Sequence, residues 1–220
     1  MPEKFVEKSI YYFKKPGKPN TEDTLRFVKS RSDELGIDTI CVTTDTGYTA
    51  FKAREILPDK NLVAVSYNSL GEDARRRLID AGVKVVIGTP VLANIDRAIR
   101  RMWGGITPVY LIAQVLKIFG EAFKVCFEVS VMAADAGVLP LDREVIVVAG
   151  TIRGTDTAMV MLPACSNSFF DIRVKEIICK PRERPARWFT DPDKYGREYV
   201  PAVRKSGFAG DKVDIEKGGE

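Results

Sequence analysis

The segment Thr43–Thr49, with the sequence TTDTGYT, contains residue types that can bind a phosphate group. Threonine hydroxyls donate hydrogen bonds to phosphate oxygens, and a glycine lets the backbone turn tightly and approach a ligand closely. A helix that begins after this segment would direct its free N–H groups and the positive end of its dipole at the loop. We therefore predict a phosphate site here, with a turn before a well-capped helix as the alternative. The candidate residues are Thr43, Thr44, Thr46, Gly47, Tyr48 and Thr49.

Asp45 is the one residue of this loop that does not suit a phosphate site. A carboxylate repels a phosphate at close range unless it points away or holds a metal ion. The chain also lacks the GxxxxGK[ST] and GxGxxG patterns. A nucleoside triphosphatase and a standard dinucleotide site are therefore not expected.

A second polar segment, GTIRGTDT at residues 150–157, supplies further hydrogen-bonding groups. Arg153 can pair with a phosphate or another anionic group, and Asp156 can accept hydrogen bonds from hydroxyls or a ring N–H. The alternative is a hairpin connection made of turn residues, although the segment is long and polar for that role. The residues predicted to bind a ligand are Gly150, Thr151, Arg153, Gly154, Thr155, Asp156 and Thr157, with Asn68 and Asn167 as lesser candidates.

Apolar runs that alternate with helical patterns must position these segments. The runs 39–43, 61–67 and 83–89 are apolar on both faces and separated by helices, which indicates an α/β fold with a parallel sheet. A further strand is predicted at 144–150. The carboxyl ends of parallel strands share one edge of the sheet, where ligands of open α/β sheets bind. Because polar residues follow all four strands, the sequence predicts a pocket at this edge.

The remaining elements are less regular. A capping residue and acids at Asn20–Thr24 predict the start of a helix that Gly36 ends. The run 123–137 has strand-like composition but helical spacing, and we favour a helix. Two more strands are predicted at 158–164 and 172–180.

Composition excludes several kinds of chemistry. The chain has no histidine, which removes Ser-His-Asp and Cys-His nucleophile systems, and its four cysteines form no C-x-x-C pair, so no metal site is expected. The net charge is +4 and the basic residues are mixed with acids, which indicates no nucleic-acid partner. No run approaches the ~20 apolar residues of a membrane span, and the N-terminus has no signal-peptide pattern, so we expect a cytoplasmic protein without a membrane partner.

The segment TICVTTDTGYTAFKAREILPDKNLVAVS resembles the C-terminal α/β domain of pyruvate kinase. In allosteric pyruvate kinases the matching loop holds a phosphate of a sugar bisphosphate effector. The wider pattern resembles a family of stand-alone proteins with this domain, through YYFKKPGKPNTEDTL, TTDTGYTA, WGGITPV, FKVCFEVSVMAADAG, GTIRGTDTA and NSFFDIRVKEIICKPR. This resemblance implies a three-layer α/β/α sandwich with a mostly parallel, mixed sheet. Some members are associated with flavin mononucleotide (FMN), which makes FMN the expected cofactor.

The chain departs from that family pattern in three ways. Tyr67 and Asn68 stand where a histidine is expected, and the segment 183–220 is an additional charged tail with scattered aromatic residues after a domain at 1–182. The catalytic barrel of pyruvate kinase, which needs ~250 residues, is missing, so pyruvate kinase activity is not expected.

Three functions remain open on the sequence. The first is binding of a small phosphorylated ligand, with FMN as the best candidate. The second is a flavin-dependent or phosphate-ester enzyme, in which Tyr48, Asp135, Asp156 or Cys165 would be the available reactive groups and no catalytic residue can be assigned. The third is a structural subunit of a homo-oligomer, with the aromatic tail mediating assembly.

Overall fold

A computed structural model describes residues 4–67 and 70–183 of the chain. Asn68 and the predicted tail after Glu183 lie outside these residues. The described part contains one seven-stranded sheet with the strand order β1-β7-β6-β5-β2-β3-β4. The strands are β1 (Tyr11–Phe13), β2 (Thr39–Thr43), β3 (Asn61–Ser66), β4 (Lys84–Ile87), β5 (Val145–Ala149), β6 (Thr157–Leu162) and β7 (Arg173–Pro181).

Only β6 runs against the other strands of this sheet. It pairs antiparallel with both β5 and β7, whereas the pairs β1–β7, β5–β2, β2–β3 and β3–β4 are all parallel. The predicted mostly parallel, mixed sheet is therefore confirmed. Its carboxyl edge carries the ends of β2, β3, β4 and β5, together with the connection from β5 to β6.

Helices cover both faces of the sheet and give the predicted three layers. The helices α1, α2 and α3 pack with the side chains of Ile40 and Val42 in one apolar core. The helix α6 packs on the opposite face with Cys41 and Val147. Cys41 lies between Ile40 and Val42 on β2, so its side chain points to the other face of the sheet. The helices are α1 (Thr21–Leu35), α2 (Tyr48–Ile56), α3 (Glu72–Asp80), α4 (Ile95–Trp103), α5 (Pro108–Lys117) and α6 (Glu121–Asp135).

The run 123–137 is helical, as its spacing predicted. It forms most of α6, which ends before Gly137, and its apolar side is buried against β2 and β5. The β-branched residues in this run fill the second core rather than forming a strand. Tertiary burial of the apolar side therefore outweighs local strand propensity here.

The start of α1 is correctly predicted, but the capping residue is not. The helix begins at Thr21 with acids in its first turn, and no side chain caps it. The Asn20 side chain instead donates a hydrogen bond to the Lys15 carbonyl oxygen at 2.7 Å. The reason is a short 3-10 helix at Lys18–Asn20, which gives Asn20 helical backbone angles and turns its side chain back toward the preceding loop.

Candidate functional site

The loop after β2 leads directly into α2 at the carboxyl edge of the sheet. Gly47 is the N-cap residue of α2, with a left-handed φ of 89°, and no side chain caps the helix. A Cβ atom at this position would lie 2.8 Å from Cε2 of Phe51, so the close turn requires glycine. The first turn of α2 therefore presents backbone N–H groups that no side chain of the described residues caps.

Two buried hydroxyls lie at the ends of the neighbouring strands β2 and β3. The backbone N–H of Thr44 donates to the Val65 carbonyl oxygen at 2.8 Å, which holds the loop against the end of β3. Within the described part of the chain, neither Oγ1 of Thr44 nor Oγ of Ser66 has a hydrogen-bond partner. Each such group costs about 1–3 kcal/mol when buried unpaired, so both hydroxyls have hydrogen-bonding capacity for a water molecule or a ligand.

The other residues of the Thr43–Thr49 loop differ in exposure. Asp45 and Thr46 are exposed, Thr43 and Tyr48 are half-buried, and Thr49 is buried. Asp45 lies close enough to Tyr67 for its charge to contribute, after burial and Glu128, to raising the Tyr67 pKa. The alternation of strand residues places Tyr67 on the α6 side of the sheet, opposite the side of Thr44. The carboxylate of Asp45 is thus on an exposed residue, whereas the unpaired hydroxyl of Thr44 is buried.

Lys18 joins the two predicted loops and was missed by the sequence prediction. Its Nζ atom lies 4.4 Å from the centroid of the Tyr48 ring, and its backbone packs against Gly154. A cavity of about 380 Å³ opens beside this lysine, lined by Lys18, Pro19, Thr21, Glu22, Asp23 and Tyr48. The basic run KKPGK before α1 could have drawn attention to Lys18, although no rule of sequence spacing connects this run to Tyr48.

The acids of this cavity are partly neutralised by a second lysine. Nζ of Lys52 lies 3.5 Å from a carboxylate oxygen of Glu22, and the pKa of Lys52 is raised, chiefly by its hydrogen bond to Glu55. The cavity thus carries both signs of charge, with Lys18 as the cation nearest the loop.

The segment 150–157 forms the hairpin connection between β5 and β6. Oδ2 of Asp156 accepts hydrogen bonds from the backbone N–H groups of Gly17 at 2.7 Å and Thr151 at 3.3 Å. Its Oδ1 accepts from the hydroxyls of Thr151 and Thr157, each at 3.1 Å. Burial raises the Asp156 pKa, and these four hydrogen bonds oppose that rise. Asp156 thereby fastens the hairpin to the loop before α1.

The hairpin is also fixed by its other polar residues. The Thr155 hydroxyl donates to the Ala149 carbonyl oxygen at 2.7 Å, and its N–H donates to the Thr21 hydroxyl at 3.1 Å. A Cβ atom at Gly150 would lie 1.9 Å from the Gly154 carbonyl oxygen, so the hairpin closes too tightly for a larger residue. Arg153 is the exposed charged residue of the segment. The segment is therefore a hairpin connection, as the alternative interpretation predicted. Ligand binding by these residues stays a prediction, and Arg153 is the residue whose exposed side chain could reach a ligand.

The structure does not bring Asn167 to this edge. Because β6 is reversed, the segment that follows it lies at the amino edge of the sheet, opposite the edge that carries the loop after β2. Cys165 lies there too, as does Asp135, whose carboxylate accepts a hydrogen bond from the Ser166 N–H at 2.8 Å. Of the four reactive groups predicted for an enzyme, only Tyr48 and Asp156 are at the carboxyl edge.

A buried cluster of three titratable residues underlies this edge on the α6 side. Nζ of Lys124 lies 2.6 Å from Oε2 of Glu128, and the Tyr67 hydroxyl donates to the same oxygen at 3.3 Å. Glu128 is only 1% exposed, and its Oε1 has no partner in the described residues. Burial lowers the pKa of Lys124 and raises that of Tyr67 well above its ordinary value. The cluster combines a proton donor, an acceptor and a poorly solvated amine.

The buried cysteines are unsuited to nucleophilic chemistry. Burial raises the pKa values of Cys41 and Cys179 to about 12 and that of Cys126 well above its ordinary value. These thiols stay protonated at neutral pH, and the thiolate is the reactive form. Among residues 4–67 and 70–183, no group of three or more Cys, Asp or Glu side chains is arranged to hold a metal ion.

A larger cavity, of about 690 Å³, lies between the N-terminal segment, α1 and β7. Two charged residues of its wall already form an ion pair, because the Arg31 guanidinium contacts both carboxylate oxygens of Glu176, at 2.6 and 2.8 Å. It is formed without the loops after β2 and β5. We therefore place the candidate site at the smaller cavity beside Tyr48.

These features define a class of protein: a three-layer α/β domain with a mixed sheet, whose carboxyl edge carries the uncapped N-terminus of α2. The family model described as pyruvate kinase, alpha/beta domain, matches residues 22–161, which is more than half of the chain. The chain belongs to this family. The match spans α1 to β6 and includes both polar loops, whereas Lys18 and β7 lie outside it. None of the described helices is both long and apolar enough to cross a membrane.

Proposed function

We propose that the chain binds a small phosphorylated ligand at the carboxyl edge of its sheet. The observation that carries this proposal is the N-terminus of α2, which no side chain caps and which lies beside the buried, unpaired hydroxyl of Thr44. A phosphate oxygen accepts hydrogen bonds from both kinds of donor, and the helix dipole favours its charge. Lys18 would add a positive charge next to the loop. This is a binding role without pyruvate kinase activity in a cytoplasmic protein.

FMN is the ligand that we propose first, on the resemblance of the chain to flavin-associated proteins. It has one phosphate, which suits the uncapped N-terminus of α2. The residues that would hold its phosphate are Thr44, Thr46 and Gly47, with Lys18 over the ring of the neighbouring Tyr48. A bound flavin supplies electron or hydride transfer, while the chain would bind, orient and shield it.

An enzyme with this ligand is the second candidate, and the cluster of Tyr67, Lys124 and Glu128 favours it. Buried titratable groups with shifted pKa values beside a ligand edge are typical of proton-transfer sites. A protein that is yellow as isolated and bleached by NAD(P)H or another reductant, with a measurable substrate rate, would be an enzyme. A flavin that stays bound without turnover would indicate a passive binder.

Thr46→Asp should weaken binding of FMN and of sugar phosphates by at least about tenfold, because a carboxylate next to the phosphate repels it. Thr46 is exposed, so the fold should be unaffected. Isothermal titration calorimetry measures the dissociation constants. Asn167→Asp adds the same charge at the opposite edge and should leave them unchanged. Equal binding by both variants and the wild type, or no binding of any phosphorylated compound, contradicts the proposed site.

Lys18→Met should lower the affinity for FMN by about tenfold while affinity for riboflavin, which has no phosphate, stays the same. The methionine keeps an unbranched side chain over the Tyr48 ring but removes the charge. The difference should shrink with added salt, because the lysine acts through its charge. Lys84→Met, at the exposed amino end of β4, is the matched control. A parallel loss for both flavins would mean that Lys18 acts on the ring rather than on the phosphate.

A further inference from the structure

The helix α4 presents its apolar side to solvent. Ile95, Ile99, Met102 and Trp103 recur at spacings of four, three and one residue, which places them on one side of the helix. Their exposed fractions are 74%, 37%, 72% and 76%. Asp96 is the one residue of this helix that is buried. This arrangement is the reverse of that in an ordinary surface helix, whose apolar stripe faces the core.

The helix α5 repeats this arrangement. One side of α5, continued by the two residues that follow the helix, carries four apolar residues that are each between 49% and 69% exposed. They are Leu111, Val115, Ile118 and Phe119. Ile106, in the connection from α4, is 74% exposed. The buried side of α5 carries Ala113 and packs on α6. Two consecutive helices therefore expose apolar stripes of the same spacing.

A cation–π contact joins α4 to α5. The Arg100 guanidinium of α4 lies 3.7 Å from the centroid of the Tyr110 ring of α5. At the end of α5, Nζ of Lys117 lies 3.2 Å from a carboxylate oxygen of Glu121, which ties α5 to α6. We call the exposed apolar surface of these helices the α4–α5 face. It consists of Ile95, Ile99, Met102, Trp103, Ile106, Leu111, Val115, Ile118 and Phe119.

The extent of the α4–α5 face is that of a protein interface. Summed over α4, α5 and Ile106, side chains of these sizes at these exposures present on the order of 1,000 Å² of apolar surface. A standard interface buries about 800 Å² on each partner. The face is thus large enough to form a stable dimer by itself.

We propose that the α4–α5 face pairs with the same face of a second copy of this chain. A two-fold axis brings one surface against itself, and two-fold dimers are the commonest oligomers. Two apolar helices from each copy would then form a four-helix layer in which each stripe covers another. This places assembly on the described domain rather than on the C-terminal tail, and it is independent of the proposed ligand.

The charge pattern of α5 favours a second copy over a lipid surface. A helix that lies on a membrane carries a polar side rich in lysine and arginine. The one basic residue of α5, Lys117, is half-buried, ion-paired with Glu121 and on another side of the helix than the exposed apolar residues. On α4 the polar side carries Arg97, Arg100 and Arg101, and Arg100 lies over the Tyr110 ring. The exposed side of α5 therefore suits an apolar protein partner.

Light scattering during size-exclusion chromatography tests this proposal on the full chain. The wild type should have twice the chain mass of 24.5 kDa, and the double variant Trp103→Glu/Ile118→Glu should have the mass of one chain. Unpaired charges in the paired face should raise the dissociation constant by at least about 100-fold. Both positions are exposed, and circular dichroism checks that the variant is folded.

Phe170→Glu is the matched control, because Phe170 is 79% exposed at the amino edge and is not part of the α4–α5 face. It should leave the dimer intact. A wild type of single-chain mass at tens of micromolar, or a double variant that still dimerises, would overturn the proposal. Sedimentation of a single-chain wild type with phosphatidylserine vesicles, abolished in the double variant, would assign the face to lipid instead.

Discussion

Lys124→Met should lower the free energy of unfolding by about 3–5 kcal/mol, because it leaves the Glu128 carboxylate buried without its ion-pair partner. In the wild type, Nζ of Lys124 lies 2.6 Å from Oε2 of Glu128, whose side chain is 1% exposed. Tyr67 is then the only remaining partner of this carboxylate in the described residues, at 3.3 Å. Chemical denaturation at pH 7 measures the loss.

A double variant separates the charge from packing. Lys124→Met combined with Glu128→Leu should recover most of the lost stability, because a well-packed apolar pair often matches a buried ion pair. Lys29→Met breaks the exposed α1 pair with Asp33, with the same spacing of four residues, and should cost less than about 1 kcal/mol. Similar losses for Lys29 and Lys124 variants would show that burial adds nothing to the pair.

The parallel part of the fold was predictable because its local signals agree with one another. The runs that became β2, β3 and β5 are apolar on both faces, which is typical of strands buried on both sides, whereas β4 at the edge of the sheet is only partly buried. Polar residues at their ends then predicted the ligand edge without any tertiary information. Thr44 could be named as a candidate on this basis. That its hydroxyl has no hydrogen-bond partner could not be predicted, because this depends on the residues that pack around it.

The direction of β6 was not predictable, since the segment 150–157 is long enough for several connections. Its reversal has a direct consequence for the site: it carries Asn167 to the opposite edge of the sheet. The same hairpin brings the backbone of Lys18 against Gly154. A strand composition that is apolar throughout predicts burial but carries no information about direction, so both results required the assembled sheet.

The cluster on α6 was hidden for another reason. Lys124 and Glu128 have the spacing of four residues that is typical of exposed helix pairs, and nothing in their types distinguishes a buried pair from a surface pair. Their burial follows from packing of α6 near Tyr67. The α4–α5 face was hidden in the opposite way, because its apolar spacing predicts a core-facing stripe. Spacing fixes which residues share a side of a helix, while only tertiary structure decides whether that side is covered.

Asp156→Asn should lower the free energy of unfolding by about 2–4 kcal/mol, although the two side chains have nearly the same shape. Oδ2 of Asp156 accepts from two backbone N–H groups, those of Gly17 and Thr151, and an amide NH₂ in that place would meet them donor to donor. Each buried N–H left without an acceptor costs about 1–3 kcal/mol. Turning the amide over would satisfy these groups but leave the hydroxyls of Thr151 and Thr157 facing the NH₂ group, so they would have to reorient.

The effect should spread beyond the hairpin, because Asp156 holds the loop that positions Lys18 at the ligand edge. Hydrogen exchange at Gly17 and Thr151 should therefore accelerate in Asp156→Asn more than exchange in the centre of α6. Asp142→Asn, at an exposed position before β5, is the matched control and should change stability by less than about 0.5 kcal/mol. If Asp156→Asn were as stable as this control, the four hydrogen bonds would not hold the hairpin, and the polar residues of 150–157 would again be free to serve a ligand. A destabilised variant with slow exchange at Gly17 would mean that the cost arises elsewhere in the hairpin.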